Sequence, residues 1–136
     1  MKLRKHISSY IPIDTMLPAV GQGALGIEIN EDNNIAEEVL LAINHSETAQ
    51  AVFAERSLLK ELEGGCQVPI GAHAVVKSNG LYLDALVGSI DGSVTYRQKL
   101  RGSKTEPEKL GKKLARNLLR AGAKEILTEV YETARK

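Results

Sequence analysis

Hydrophobic and polar positions along the chain change period several times, and each change predicts an element. Leu25, Ile27 and Ile29 alternate with Gly26 and Glu28, a two-residue period that predicts a short strand over 24–29. Asn30-Glu31-Asp32-Asn33-Asn34 breaks that pattern. Asn34, with Glu37 three positions on, carries a helix-start signature, and the helix should run to about Asn44. A second helix is expected from Ser46 or Glu47, with Val52, Phe53, Leu59 and Leu62 on one face and Ala49 and Arg56 between them. Gly64-Gly65 should end it, because glycine readily takes the left-handed conformation that closes helices. Residues 1–23 show no sustained period and read as a loop-rich lead-in with one short helical turn.

The second half is more regular. Ile70–Lys77, Leu81–Ser89 and Val94–Arg101 are three strand-like runs, separated by the hairpin signals Asn79-Gly80 and Asp91-Gly92. They predict a three-stranded antiparallel meander. Its inward set is Ile70, Ala72, Ala74 and Val76, then Leu81, Leu83, Ala85 and Val87. Arg97, Lys99 and Arg101 share one face of the third strand, which suits a half-exposed edge. Thr105 and Glu108 read as a capping box for a third helix, whose Leu110, Leu114 and Leu118 recur every four residues. Gly122 interrupts it, and Ile126, Leu127, Val130 and Tyr131 form a last apolar stripe. The expected fold class is α+β: a C-terminal meander packed with helices on one face, preceded by an incomplete α/β segment. Residues 46–136 would form that domain. Residues 1–45 hold a lone strand and helix, which leaves edges unpaired and apolar faces uncovered.

Composition narrows the function classes. The 136 residues carry 18 Lys and Arg against 17 Asp and Glu, a formal charge of +1. That overall balance gives no footprint for nucleic acid or an anionic membrane. No apolar run approaches the roughly 20 residues of a membrane span. The basic N-terminus, Met1-Lys2-Leu3-Arg4-Lys5-His6, lacks the apolar core of a signal peptide, so a cytoplasmic location is expected. One cysteine makes neither an internal disulfide nor a multi-cysteine metal site, and His6, His45 and His73 show no ligand spacing. No metal site is expected, and no Ser/His/Asp order suggests a hydrolase.

Gly21-Gln22-Gly23-Ala24-Leu25-Gly26 matches the dinucleotide fingerprint G-x-G-x-x-G. The context does not, since Pro18 precedes it and a strand-like alternation follows. It reads instead as a glycine-rich crossing, or as a turn whose backbone N–H groups face an anion. Cys66 follows two glycines and precedes Gln67-Val68-Pro69. A lone cysteine is commonly a small buried hydrophobe, but the glycines favour an accessible sulfur. A redox role is disfavoured: a helix C-terminus and the nearby Glu61 and Glu63 oppose a thiolate, and no resolving cysteine exists. Arg56 has two readings, a stem that snorkels to water and an ion pair across a domain boundary. The Arg97, Lys99, Arg101 stripe reads as a solvated strand face, and His73 as a structural side chain.

Two stretches resemble one family. Met16-Leu17-Pro18-Ala19-Val20-Gly21-Gln22-Gly23-Ala24-Leu25-Gly26-Ile27-Glu28 is similar to the porphobilinogen deaminase (hydroxymethylbilane synthase) segment passing from its second domain back to its first. Ala54-Glu55-Arg56, then Leu62-Glu63-Gly64-Gly65-Cys66-Gln67-Val68-Pro69-Ile70-Gly71, is similar to its cofactor-attachment region. Leu86-Val87-Gly88 and Asp91-Gly92 also fit. The resemblance implies a transferase of tetrapyrrole (haem) biosynthesis that joins four porphobilinogen molecules head to tail and releases ammonia. It implies that Cys66 holds a dipyrromethane cofactor through a thioether. Loss of ammonia leaves an electrophilic azafulvene that a soft sulfur can capture, and growth from a fixed anchor makes each addition effectively intramolecular. Gln22 and Gly23 match the segment lining the family's cleft.

The family's catalytic aspartate and the arginines that hold acetate and propionate groups have no counterpart here, so no catalytic residue is expected in this chain. Residues 1–45 would then be the end of the second domain and a return segment of the first, and 46–136 the cofactor-attachment domain. The chain alone is expected to be an inactive fragment whose partners are the missing N-terminal part, porphobilinogen and polypyrrole intermediates. The alternative is a non-enzymatic α+β interaction or assembly module derived from that enzyme, whose exposed edges predict self-association. A thiol-transfer role for Cys66 comes third.

Overall fold

The computed structural model describes residues 4–63 and 68–134. Helix α1 spans Asn34–Ile43 and α2 spans Ser46–Glu61; strands β1, β2 and β3 are Ile70–Lys77, Gly80–Gly88 and Thr95–Gly102; helices α3 and α4 are Pro107–Leu118 and Lys124–Ala134. A short 3-10 turn at Arg4–His6 precedes them.

The strands form one antiparallel sheet in the order β1-β2-β3. The register runs from Ile70 opposite Val87 to Lys77 opposite Gly80, and from Leu81 opposite Gly102 to Gly88 opposite Thr95. Ala72, Ala74, Leu81, Leu83, Ala85 and Val87 are all buried on one face, as their alternation predicts, and Ile70 and Val76 pack on the same core. α2 and α3 cover that face, and α3 contributes Leu110, Leu114 and Leu118. Each fully buried leucine contributes roughly 1.5–3 kcal/mol. The α+β layering is therefore as expected.

Gly111 is where α2 and α3 touch. A Cβ there would strike the Ser57 Oγ and the Ala54 carbonyl and lie 2.8 Å from the Leu58 nitrogen. Gly122 ends α3 in a wide π turn with φ +117°, and a Cβ there would collide with the Tyr96 hydroxyl. The turn redirects the chain so that Ile126, Leu127 and Val130 of α4 also reach the core.

Four expectations are corrected. The buried face of α2 is Ala54, Glu55, Ser57 and Leu58, followed by Leu62, whereas Phe53 is half exposed. Small and polar residues are buried because the helix lies close to α3 and to the edge of β1. Residues 24–29 form no strand: nothing among the described residues pairs with them, and Leu25 is 97% exposed. A strand without a partner's hydrogen-bond ladder is not stable in water. Thr105 and Glu108 make no capping box; Pro107 opens α3, and the Thr105 N–H bonds the Ser103 hydroxyl instead. α1 is capped by Asn33, one residue earlier than expected, whose side chain accepts the Ala36 N–H at 3.1 Å. For α2 the cap is His45, whose Nδ1 accepts the Thr48 N–H.

Candidate functional site

The other face of the sheet is crossed by the lead-in. Arg97 donates from Nε and Nη2 to both oxygens of Asp84 at 3.0 and 2.8 Å, and from Nη1 to the Asp14 carbonyl at 2.7 Å. Lys99 lies 3.0 Å from Asp84 and 3.2 Å from Asp14. Burial alone would raise the Asp84 carboxyl, but the hydrogen bonds from Arg97 and Lys99 outweigh it and hold it below the usual range. The Arg97 and Lys99 stripe is thus an ion-paired anchor for the lead-in, not a simple solvated face. Arg101 stays exposed.

From Asp14 the chain passes over β2 to β1. Adjacent strands lie about 4.8 Å apart, so four extended residues suffice for the crossing. At Gly71 the backbone of β1 meets Leu17 so closely that a Cβ would lie 2.9 Å from the Leu17 Cβ. The Ala72 N–H then donates to the Pro18 carbonyl at 3.0 Å. One step further, the Ala74 N–H donates to Glu55 Oε1 at 2.7 Å, and the Gly21 N–H donates to Oε2 of the same carboxylate at 2.7 Å. Glu55 is 5% exposed. A peptide carbonyl and a carboxylate thereby satisfy two outward N–H groups of an edge strand, which protects the edge from pairing elsewhere.

The turn after Gly21 holds Gln22 and Gly23. The Gln22 N–H bonds the Ala19 carbonyl at 3.1 Å, Gly23 has φ +84°, and both are exposed. Among the described residues no strand precedes this turn and no helix opens within it, so the context of the dinucleotide fingerprint is missing. The anion that a backbone N–H of this motif faces is internal, the Glu55 carboxylate. Sequence reasoning missed Glu55 as an anchor, although Ala54-Glu55-Arg56 belongs to the stretch that carries the family resemblance.

Cys66 lies outside the described residues, but the residues on either side of it are firmly held. α2 closes at Leu62, and Glu63 takes φ +53°, unusual for a residue with a side chain. The Tyr131 hydroxyl donates to the Glu63 carbonyl. Beyond residue 67, Val68 is buried and the Gly88 N–H donates to the Pro69 carbonyl at 2.9 Å. Residues 64–67 therefore connect the helix that carries Glu55 to the strand that Glu55 supports. Gln22 and Gly23 are tethered to that same frame through Gly21.

Arg56 is exposed on the outer side of α2 without an ion-pair partner among the described residues. His73 is half-buried on β1. Among the described residues, no cluster of His, Cys, Asp and Glu is placed to hold a metal, and no helix is long and apolar enough to cross a membrane.

Comparison with known proteins gives the same family at both ends of the chain. Residues 49–120 match the family model described as "Porphobilinogen deaminase, C-terminal domain". Residues 1–38 match "Porphobilinogen deaminase, dipyromethane cofactor binding domain". Among curated relatives, the porphobilinogen deaminase of Carboxydothermus hydrogenoformans is 48% identical over 128 residues, 94% of this chain and 41% of that protein. That of Geobacter metallireducens is 49% identical over 127 residues, 93% of this chain and 40% of that protein. That of Trichlorobacter lovleyi is 48% identical over 126 residues, with 93% and 40% covered. The chain spans about two fifths of the length of the relatives it matches. With a family model covering more than half of its residues, the chain belongs to the porphobilinogen deaminase family.

Proposed function

We propose that this chain is the cofactor-anchoring C-terminal portion of an enzyme that condenses four porphobilinogen molecules into hydroxymethylbilane, with Cys66 as the anchor. The observation that carries the reading is the frame on either side of Cys66. Its ends are held by Tyr131 on the Glu63 carbonyl and by Gly88 on the Pro69 carbonyl. A tether for a lengthening product has to be fixed at its base, and the described residues on either side of Cys66 meet that need.

The chemistry of the donor fits the dipyrromethane group. A thiol is a soft nucleophile suited to an aminomethyl carbon activated by a pyrrole. In the attachment a bond from Sγ to that carbon forms, the carbon–nitrogen bond breaks, and ammonia leaves with the thiol proton. Once bound, the group supplies the pyrrole terminus to which further units are joined. This chain would position it: α2 and β1 hold the anchor, and the Glu55 contact with Gly21 keeps Gln22 and Gly23 beside that frame as part of the cleft wall. The cations that bind acetate and propionate side chains, and the catalytic aspartate, would come from the rest of the longer protein. Residues 1–45 would belong partly to its other domains and 46–136 to the attachment domain.

A second reading, an interaction or assembly module, draws on the large apolar side chains left exposed at Ile35, Val39, Leu41 and Ile43 of α1. Porphobilinogen consumption separates the two. The chain mixed with the N-terminal part of a family enzyme should restore turnover, and a Cys66→Ser chain should not. A folded mixture without turnover would leave only the module.

A further inference from the structure

Helix α2 ends in a way that its sequence does not require. Gly64 and Gly65 stand next in the chain, and glycine takes the left-handed conformation without steric cost. Yet Glu63 adopts it, with φ +53°, the one residue with a side chain to do so among the described residues. Such a conformation is costly for a residue with a Cβ and persists only where the surroundings hold it. The Glu63 side chain is exposed, so its packing does not hold it. The backbone contacts do: the Glu63 N–H donates to the Lys60 carbonyl at 3.1 Å, and the Glu63 carbonyl accepts the Tyr131 hydroxyl.

Tyr131 reaches Glu63 from α4, 68 positions away. Its neighbours Ile126, Leu127 and Val130 are buried in the core, and Tyr131 itself packs against that core. Those apolar contacts fix α4 without the hydroxyl, and phenylalanine would keep them. What the hydroxyl adds is the conformation of one residue, three before Cys66. A helix end alone would be met with less strain by glycine, one position on.

We propose that Tyr131 is a positioning residue for the attachment at Cys66. Its hydroxyl holds Glu63 in the left-handed conformation and so sets the direction in which the chain leaves α2 at that residue. This inference rests on Cys66 as the anchor. In the attachment the bond from Sγ to the aminomethyl carbon forms, the carbon–nitrogen bond breaks, and ammonia leaves with the thiol proton. Reaction is fast only when the two reacting atoms are brought together in a narrow range of geometries. Tyr131 touches neither of them and acts through the Glu63 backbone.

Tyr131→Phe and Glu63→Gly, singly and together, test this in two measurements. In the chain alone, Tyr131→Phe should speed hydrogen exchange at the Leu62 and Glu63 N–H groups, which bond the Leu58 and Lys60 carbonyls. Exchange in β2 should change little, because relaxation of Glu63 offsets the lost bond. The second measurement follows intact mass over time in a mixture with porphobilinogen and the N-terminal part of a family enzyme. Tyr131→Phe should gain the cofactor mass roughly two- to tenfold more slowly than wild type, the equivalent of one hydrogen bond. Glu63→Gly, whose glycine needs no holding, should load at close to the wild-type rate with either tyrosine or phenylalanine at 131. Unchanged exchange at Glu63, equal loading of Tyr131→Phe and wild type, or an undiminished slowing in the Glu63→Gly background would each overturn the proposal alone. A wild-type chain that gains no mass while the mixture turns over would overturn the Cys66 reading and this proposal with it.

Discussion

The backbone N–H of Gly21 and the side chain of Glu55, 34 positions apart, meet at 2.7 Å. The second oxygen of the same carboxylate accepts the Ala74 N–H at 2.7 Å. One buried side chain therefore joins the lead-in, the helix that precedes Cys66 and the strand that follows it. Hydrogen bonds to a charged acceptor are worth more than neutral ones, and a buried donor left without a partner costs about 1–3 kcal/mol.

Glu55→Ala should therefore destabilise the fold by roughly 3 kcal/mol, since the buried Ala74 N–H would lose its acceptor. Glu55→Gln keeps one acceptor oxygen and should lose less. Urea unfolding of the three proteins checks this. Equal midpoints would show that the carboxylate holds nothing together.

Gly111→Ala sets two effects against each other. Alanine favours helix by about 1 kcal/mol over glycine. The added carbon would strike the Ser57 hydroxyl and the backbone of α2 at Ala54 and Leu58. Backbone cannot move aside cheaply, and overpacking costs typically 1–3 kcal/mol and sometimes more. Steric cost should win, so the variant's melting temperature should fall; a rise would mean that α2 and α3 can separate without loss.

Acid should weaken the anchor at Asp84. The Asp84 carboxyl lies below its ordinary value when folded, against the opposing effect of burial, because Arg97 and Lys99 bond to it. A carboxylate whose folded pKa is depressed adds stability above its unfolded pKa of about 3.9, and that stability is lost as pH falls through the folded value. Asp91 behaves likewise, held at about 2 by the Ser89 hydroxyl and by the Ser93 backbone and hydroxyl. Thermal unfolding from pH 5 down to pH 2 should show a steeper loss in the wild type than in Asp84→Asn. Parallel curves would contradict the assigned pairing.

The parts of this fold legible in the sequence are those where one pattern decides. Alternation over 70–76 and 81–87 marks the sheet's inner face, and Leu110, Leu114 and Leu118 mark the core side of α3. The α2 face is not legible in this way, because Ala54, Glu55 and Ser57 are buried by close approach and hydrogen bonding, which hydrophobicity cannot register. Residues 24–29 alternate as a strand should, yet a strand also needs a neighbour. The path of the lead-in is not legible for another reason. Its contacts join positions 34 to 85 apart, and only the fold brings Asp14 to Lys99 or Gly21 to Glu55.

Central to the account is a covalent bond at Cys66, and the intact mass of the chain tests it most directly. Co-expressed with the N-terminal part of a family enzyme, the wild-type chain should gain the mass of two porphobilinogen units, each less one ammonia. The Cys66→Ser chain from the same preparation should gain nothing. An unmodified wild-type chain in an actively turning-over mixture, or the same gain on Cys66→Ser, would contradict Cys66 as the anchor.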